Sequence, residues 1–351
     1  MGVEFRNEGV RSNVLGKPMK EPQDVPFEKE GQYLKSDNRS NISYFLEHNV
    51  LLRRFTLSVG VLANYNSALN EGIHFYPGID ASYRIGDNFR LYGSWNRALR
   101  MPTFTDLYYE GKTNKGNPDL KPEESEAFEV GLKYNTYFLR AHIAGFYRKG
   151  KNMIDWVKEK PEDIWESQNL TKVDNLGFET NLSLLPRELG NERFFIRKIE
   201  LGYAFIHQDK DSEGYISNYA LDYLKHKFTA QLSHSIWKGF SATWYVRWQD
   251  RAGSYTKYEN LKPAYEEPYA PYCLVDMKVN WEYQRLNLYA ELNNLLNSTY
   301  YDLGNIPNRP MNSPLTQLRQ NALYSFLSVS DGLCYRNLFK LPIRSILDSA
   351  E

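Results

Sequence analysis

The sequence lacks long apolar runs, has few cysteines and carries no net charge. No stretch approaches the roughly 18 consecutive apolar residues that a membrane-spanning helix requires, and the mean hydropathy is −0.61. The 43 basic and 43 acidic residues balance, whereas a nucleic-acid-binding domain usually shows a basic surplus. Cys273 and Cys334 form no disulfide framework or metal motif. A helical membrane protein is excluded, and no nucleic-acid partner, metal or cofactor is expected.

The first residues also lack a secretion signal. Residues 1–6 contain no basic segment followed by an apolar one, which is what a signal peptide needs. The membrane barrel predicted below would have to be exported to reach its membrane. We therefore expect the natural N-terminus to lie upstream of Met1.

Alternation of apolar and polar residues runs through most of the chain. Residues 55–65 and 240–249 each place apolar side chains at every second position, the period of a strand with two unlike faces. About thirteen such segments, of roughly nine to eighteen residues, occur before residue 293, and no helix is expected before residue 310. Strands of soluble sandwiches usually have about five or six residues, but a tilted membrane strand needs about nine to eleven. The pattern predicts an all-β fold, an antiparallel transmembrane β-barrel.

Connections between these segments alternate between tight and long. Short turns at one end and long loops at the other are typical of outer-membrane barrels. Tight links are predicted near residues 52–53, 85–88, 134–136, 237–239 and 282–284, and long links at 13–38, 66–72, 100–123, 158–166, 209–222 and 251–270.

Aromatic residues recur near the strand ends on the apolar face. Their rings bury in hydrocarbon while their polar atoms reach the headgroup layer. We predict an aromatic girdle, and outer-membrane lipids as partners, from Tyr65, Tyr83, Phe89, Tyr134, Tyr147, Trp248, Trp281 and Tyr283.

Three stretches resemble the β-barrel domain of TonB-dependent outer-membrane receptors. The most specific runs from residue 92 to 134, and the others are Asp174–Glu179 and Asn293–Asn297, followed by Tyr300 and Tyr301. Prolines fix φ and lack the N–H that a ladder needs, so those of the first stretch predict the lip where pairing stops and restarts. The family-motif residues, expected to be structural, are Arg100, Pro102, Phe104, Gly116, Asn117, Pro118, Leu120, Pro122, Glu123, Asn294 and Leu295.

The resemblance implies how the chain is organised. The family barrel has 22 strands, of which about thirteen are expected here, with the first being the ninth. We expect residues 1–306 to form a partial barrel without the family's plug domain. Residues 307–351 show no alternation, and we expect a divergent, non-barrel tail there, with a weak helical stripe through Leu315, Leu318, Leu323, Phe326 and Leu327.

The resemblance also implies a function. A protein of this family lies in the bacterial outer membrane and imports a scarce, bulky nutrient, driven by the TonB complex through its plug domain. The residues 100–109 resemble cobalamin receptors somewhat more than siderophore receptors, so cobalamin is the first expectation and an iron siderophore or haem the alternative. A surface lipoprotein is a further candidate partner.

Large aromatic residues in the long links are the expected ligand contacts. Tyrosine and tryptophan are rigid and amphipathic, and they grip a bulky ligand at low entropic cost. The candidates are Tyr108, Tyr109, Trp165, Tyr255, Tyr258 and Tyr265.

Two other function classes remain open. A passive porin or adhesin barrel fits the alternation equally well. A barrel-embedded hydrolase would need an acid–base pair near the lip, and His207 with Asp209 and Asp211 is the one hint of it. The six histidines form no metal motif, and no nucleophile motif appears. We therefore expect no enzyme activity.

Overall fold

A computed structural model describes residues 1–28, 30–69, 72–160, 162–190, 193–211, 214–217, 223–259, 262–284, 286–301 and 324–329. Among these residues, no helix is both long and apolar enough to cross a membrane. The first strands are β1 (Gly2–Ser12), β2 (Lys17–Asp24), β3 (Gln32–Leu51), β4 (Phe55–Asn66), β5 (Ile73–Ile85), β6 (Phe89–Arg100), β7 (Asn114–Lys115), β8 (Glu123–Asn135), β9 (Leu139–Lys158) and β10 (Trp165–Leu184). The remaining strands are β11 (Ile196–Asp211), β12 (Ile216–Ser217), β13 (Leu224–Trp237), β14 (Phe240–Arg251), β15 (Ser254–Glu259), β16 (Lys262–Pro268), β17 (Tyr272–Tyr283), β18 (Leu286–Leu292) and β19 (Tyr324–Val329).

Thirteen strands form an antiparallel meander. Each pairs with the next in the order β1, β3, β4, β5, β6, β8, β9, β10, β11, β13, β14, β17 and β18. These strands confirm the thirteen alternating segments, because alternation specifies both the strands and their register. The register places Val59 opposite Ile79, and Ser58 opposite Asp80. These two pairs lie on opposite faces of the sheet.

The meander curves into a partial barrel with a polar concave face. A cavity of about 590 Å³ is lined by residues from seven successive strands, β8 to β11, β13, β14 and β17. Most of its lining side chains, among them Lys133, Arg140 and Gln231, belong to the polar face. Apolar side chains point to the other face, where Val130 is 59% exposed. An apolar outer face is what lipid solvates, so the membrane-barrel prediction is confirmed.

Aromatic rings form two rows on this outer face. Near the tight turns, the ring centroids of Phe89 and Tyr134 are 4.5 Å apart, and those of Trp281 and Tyr283 are 5.8 Å apart. Near the long links, His226 lies 4.9 Å from Phe205 and 6.2 Å from Trp248. Tyr65, Tyr83 and Tyr147 are exposed on the protein itself. The arrangement is that of the predicted girdle, in which amphipathic rings lie at the two membrane interfaces.

The tight turns lie at one end of the barrel. Between β13 and β14, Lys238 and Gly239 adopt positive φ values of 24° and 86°, as two-residue hairpin loops require. The link between β10 and β11 is longer and contains a 3₁₀ helix at Pro186–Leu189. Arg187 holds it in place by donating to the Phe194 carbonyl oxygen at 2.9 Å and to Ser235 Oγ at 2.6 Å.

The opposite end carries the long links, and these contain short elements of their own. One is the helix α1 (Phe104–Tyr108), where no helix was expected. The prediction was wrong because α1 spans five residues, too few for a helical period to appear in the sequence. The capping box of Thr103 and Asp106 nucleates it, since each side chain accepts a hydrogen bond from the backbone N–H of the other residue.

The predicted tail contains one described element. Residues Tyr324–Val329 form β19, which pairs with β18 from Glu291↔Tyr324 to Leu286↔Val329. This differs from the helical stripe expected around Phe326 and Leu327, because an unpaired edge of β18 in lipid would leave backbone groups without partners. Residues 302–323 and 330–351 lie outside the described part of the chain. The boundary at 306/307 and the divergent origin of the tail stay predictions.

Candidate ligand-binding face at the long-link end

Arg39 anchors the start of the 100–123 link from a distant strand. It lies on β3, which is separated from β6 by two strands, yet its guanidinium donates to the Pro102 carbonyl oxygen at 2.6 Å. It also lies 5.0 Å from the Phe104 ring centroid and 2.6 Å from the carboxylate of Glu8 on β1. Tyr108 Oη donates to Asp37 Oδ2 at 2.5 Å, also on β3. These contacts fold the link inward across the barrel mouth.

Burial and the hydrogen bond to Asp37 change the acidity of Tyr108. Burial disfavours the charged phenolate, and the donated hydrogen bond stabilises the phenol. Together they raise the pKa of the Tyr108 hydroxyl above its ordinary value. The contact to Asp37 therefore persists at any neutral or mildly alkaline pH.

Arg100 and Glu123 close the base of the same link. The guanidinium donates twice to the carboxylate, at 2.5 Å and 2.6 Å, a bidentate geometry that is stronger than a single hydrogen bond. Glu123 Oε1 also accepts from the Ile154 N–H at 2.8 Å. One carboxylate thus joins the end of β6, the start of β8 and the outer part of β9.

The glycine and asparagine of the motif form a close backbone crossing. Gly116 N–H donates to the Tyr109 carbonyl oxygen at 2.6 Å, and Asn117 N–H donates to that of Asp106 at 2.9 Å. A Cβ on Gly116 would lie 2.8 Å from the Tyr108 nitrogen and 2.9 Å from the Asp106 oxygen, so only glycine fits without displacing backbone. Leu120 is buried, Pro102 is buried, Pro122 is half-buried and Pro118 is exposed. The structural role of these residues stays a prediction.

The outer part of the β9–β10 hairpin has its own core. Val157, Leu170 and Val173 are buried together, with Met153 and Tyr215 packed against them. Val157 is 1% exposed. Val157 and Leu170 lie beyond the last β8–β9 rung, Glu124↔Lys151, whereas Val173 lies just inside it, opposite Gly150.

Tyr109 packs against this outer part of the β9–β10 hairpin, and Trp165 belongs to it. The Tyr109 ring meets Trp156 edge-to-face with centroids 6.4 Å apart. Lys158 Nζ lies 4.5 Å from the Trp165 ring centroid. Tyr109 remains exposed, whereas Tyr108 turns its hydroxyl to Asp37. The structure therefore brings three of the predicted ligand residues to one region, with Tyr109 the most accessible.

The other predicted aromatics lie on the hairpin of β15 and β16. Tyr255 is only 7% exposed, and its ring stacks on Tyr301 at 4.3 Å and contacts Tyr269 at 5.5 Å. Tyr265 is 49% exposed, with Lys257 Nζ 5.4 Å from its ring centroid. The side chain of Tyr258 lies outside the described residues. Tyr255 thus supports the hairpin, and Tyr265 presents an exposed ring that Lys257 contacts.

Asn294 and Leu295 form the turn that holds this hairpin to the wall. Asn294 has a φ of 52° and donates its N–H to Asp276 Oδ1 at 2.7 Å. Its side chain exchanges two hydrogen bonds with the Ser298 backbone, at 2.9 Å and 3.0 Å. Leu295 N–H donates to the Val275 carbonyl oxygen at 2.8 Å. The turn delivers Tyr300 and Tyr301 to the tyrosine stack.

The sequence did not reveal two features of the concave face. A cavity of about 390 Å³ near the long links is lined by four arginines and one carboxylate, Glu8. Inside the described part of the chain, the hydroxyl of Tyr76 and the amide nitrogen of Asn41 are buried there without a hydrogen-bond partner. Arginines at alternating strand positions looked like ordinary polar-face residues, so no signal distinguished them. The four are Arg6, Arg39, Arg97 and Arg100.

Deeper in the wall, Tyr92 lies within hydrogen-bond distance of side chains on two neighbouring strands. Tyr92 Oη donates to Glu129 Oε1 at 2.8 Å and lies 2.7 Å from His142 Nε2. His142 Nδ1 is 3.8 Å from Glu179 Oε1. Among the described residues, no group of histidine, cysteine and acidic side chains could hold a metal ion.

The strand meander, the two aromatic rows and the unequal ends define an outer-membrane β-barrel. Residues 1–295 match the family model described as TonB dependent receptor-like, beta-barrel. This match covers most of the chain, and the chain belongs to that family. It is a family of outer-membrane receptors and transporters and not a family of enzymes.

Curated relatives have low identity and include receptors for different ligands. The vitamin B12 transporter of Vibrio vulnificus is 26% identical over 225 residues, covering 48% of this chain and 36% of the relative. The iron-regulated outer membrane virulence protein of Vibrio cholerae is 26% identical over 226 residues (57% and 33%). The ferrienterobactin receptor of Escherichia coli is 22% identical over 292 residues (75% and 37%). The chain spans about a third of the length of these relatives.

Solved structures share the fold. The ferric enterobactin receptor of Pseudomonas aeruginosa in complex with enterobactin has a TM-score of 0.63 at 19% identity, covering 88% of this chain and 47% of that one. The FrpB iron transporter of Neisseria meningitidis has a TM-score of 0.58 at 16% identity (78% and 44%). At these identities the likeness shows the fold alone.

Proposed function

We propose that this barrel serves TonB-dependent uptake of a bulky nutrient across the outer membrane. The observation that carries the proposal is the placement of exposed aromatic rings, Tyr109 and Tyr265, with Trp165, on the long links above a polar concave wall. Such rings bind a large ligand, and the polar wall lines the path below it.

Cobalamin is the first candidate ligand. The resemblance of residues 100–109 and the two vitamin B12 transporters among the relatives support it. An anionic ferric siderophore is the second candidate, supported by the ferrienterobactin receptor among the relatives and by the cavity lined with four arginines, each of which also pairs with a carboxylate. Guanidinium groups match carboxylate and catecholate oxygens in geometry and charge. Haem is a further iron-bearing alternative.

The proposed partners follow from the same surfaces. Outer-membrane lipids contact the aromatic rows, and the TonB complex acts through a plug domain. A surface lipoprotein could capture ligand together with the long links. We propose no catalytic activity: Asp209, the acid of the hydrolase alternative, lies 3.5 Å from Lys172 in an ion pair.

The test is ligand uptake by the native gene product in outer-membrane vesicles and whole cells. Radiolabelled cyanocobalamin, a ferric catecholate and haem are compared with and without the TonB complex. Tyr109→Ala and Tyr265→Ala should each weaken binding about tenfold, as loss of an aromatic anchor does. Tyr137→Ala, exposed at the tight-turn end, is the matched control and should bind normally. Equal uptake without TonB, or no binding of any of the three ligands, would refute the proposal.

A further inference from the structure

Strand order changes where the β9–β10 hairpin leaves the wall. Within the wall, β9 pairs with β8 up to Glu124↔Lys151, and β10 pairs with β11 up to Lys172↔Asp211. Beyond these rungs, β12 takes the free edge of β9, with Ile216 opposite Lys158. β7 takes the free edge of β10 in parallel, with Lys115 opposite Glu166. The wall order β8–β9–β10–β11 becomes β12–β9–β10–β7.

The two added strands have exchanged sides. β7 belongs to the link between β6 and β8, on the β9 side of the hairpin, yet it pairs with β10. β12 belongs to the link between β11 and β13, on the β10 side, yet it pairs with β9. Two-stranded ribbons twist strongly, and Asn152, with a φ of 54°, lies at the point of departure. The twist turns the β10 edge of the ribbon toward the β6–β8 link. It turns the β9 edge toward the β11–β13 link.

Side chains fasten all three links together at this place. The Asn169 amide accepts from the Lys121 N–H at 2.8 Å and donates to the carbonyl oxygens of Lys121, at 2.9 Å, and Asn152, at 2.6 Å. Asp155, almost completely buried, accepts from the Ser217 hydroxyl. Each added strand also pairs with two residues of a hairpin edge that would otherwise expose unpaired backbone.

We infer that the described residues of the links 101–122, 159–164 and 212–223 form one preassembled outer body, with Asn169 as its positioning residue. The part of this inference that concerns ligand capture rests on the proposed function, because the outer body carries Tyr109 and Trp165. A packed core and shared strands make independent opening of one link costly. Ligand is therefore received by a surface that already exists, and no single link closes over it.

Paired cysteines test the exchange of sides in the native gene product, with the chain's own Cys273 and Cys334 changed to serine. Cross-strand neighbours lie within disulfide range. We expect Lys115→Cys with Glu166→Cys, and Lys158→Cys with Ile216→Cys, to oxidise readily. Lys115→Cys with Lys158→Cys, the partners in an unexchanged arrangement, is the control and should stay reduced. Oxidation of the control pair alone would overturn the inference.

The oxidised variants then test the part of the inference that concerns ligand capture. If the body is preassembled, ligand capture after cross-linking stays within about twofold of the reduced protein. Loss of capture on oxidation, regained on reduction, would overturn the inference while leaving the proposed function intact. Disulfides that form as expected in a protein that captures no ligand even when reduced would refute the proposed function alone.

Limited trypsin digestion tests Asn169 without any ligand. Asn169→Ala should speed cleavage at the exposed Lys112 about fivefold to tenfold, because it removes three hydrogen bonds that join two segments. Asn169→Asp places a carboxylate oxygen against the carbonyl oxygens of Lys121 and Asn152 and should speed cleavage at least as much. Asn175→Ala, on the same strand within the wall, is the matched control. Equal cleavage rates in the Asn169 and Asn175 variants would overturn the positioning role.

Discussion

The wall strands and the outer body bury apolar side chains in opposite directions. In the wall, Leu91 and Val130 point outward and are 44% and 59% exposed on the protein alone. In the outer body, Val157 and Leu170 are enclosed by protein. The wall therefore relies on lipid and on its backbone ladder, whereas the outer body relies on water-excluding packing of its own. Apolar side chains therefore stabilise both regions, in lipid in the wall and in a protein core in the outer body.

Truncating a leucine in each region should separate the two modes of stabilisation most clearly. Leu170→Ala, at a position 4% exposed, should destabilise the outer body by about 2–5 kcal/mol, since a buried leucine leaves a cavity. Leu91→Ala on the lipid face should cost clearly less, because lipid fills the space. Hydrogen exchange of the outer body, compared with urea unfolding of the wall in vesicles, measures both. Equal losses would show that the outer body has no separate core.

A charged side chain placed on the lipid face tests the wall. Val130→Lys should cost about 2–4 kcal/mol of folding free energy in a bilayer, because an ammonium group is poorly solvated by hydrocarbon. Ser94→Lys is the matched control on the concave face, where Asp80 and Glu129 lie opposite it in neighbouring strands. Folding into vesicles, followed by tryptophan fluorescence in urea, gives the difference. If the two variants fold alike, the assignment of faces is wrong.

Adding one methyl group at the backbone crossing of the link should have a smaller effect. Gly116→Ala should destabilise the 101–122 link by about 1–3 kcal/mol, because its Cβ would overlap backbone atoms. Gly9→Ala, whose Cβ would lie no closer than 3.8 Å to any atom outside its chain neighbours, is the control in a strand. Trypsin cleavage at Lys112 reports on the link. Unchanged cleavage in the Gly116 variant would contradict the close crossing.

The smallest expected effect is the pH dependence of the Tyr108 contact. Because the pKa of Tyr108 is raised in the folded chain, its contribution is fully present below the ordinary tyrosine pKa of about 10 and is lost as pH rises through the folded value. Tyr108→Phe should weaken the link by about 0.5–1.5 kcal/mol, the net value of one hydrogen bond, and equally at pH ~7 and pH ~9. Hydrogen exchange of the link at these two values measures it, with Tyr109→Phe as the control. A loss that vanishes by pH ~9 would show that the phenol ionises early.

The wall could be predicted from the sequence almost completely. Each wall residue faces either lipid or the concave side, so its polarity states its orientation, and the tight turns follow from where alternation stops. The alternation of residue types does not predict contacts between the long links or between distant strands. The contact of Arg39 with Pro102 crosses two strands, and the burial of Tyr255 depends on Tyr269 and Tyr301. Nothing in the sequence neighbourhood of these residues distinguishes them.

By itself, the sequence determined the thirteen strands, the outer face and the family, because apolar and polar residues alternate along a strand that lies between lipid and a polar lumen. The tertiary structure alone decided which aromatic rings remain exposed, which carboxylate joins three segments, and that β7 and β12 take the far edges of the hairpin. Those outcomes depend on the twist of a ribbon and on hydrogen bonds between residues distant in the chain, for example Asn169 and Lys121. Residue polarity carries no record of either.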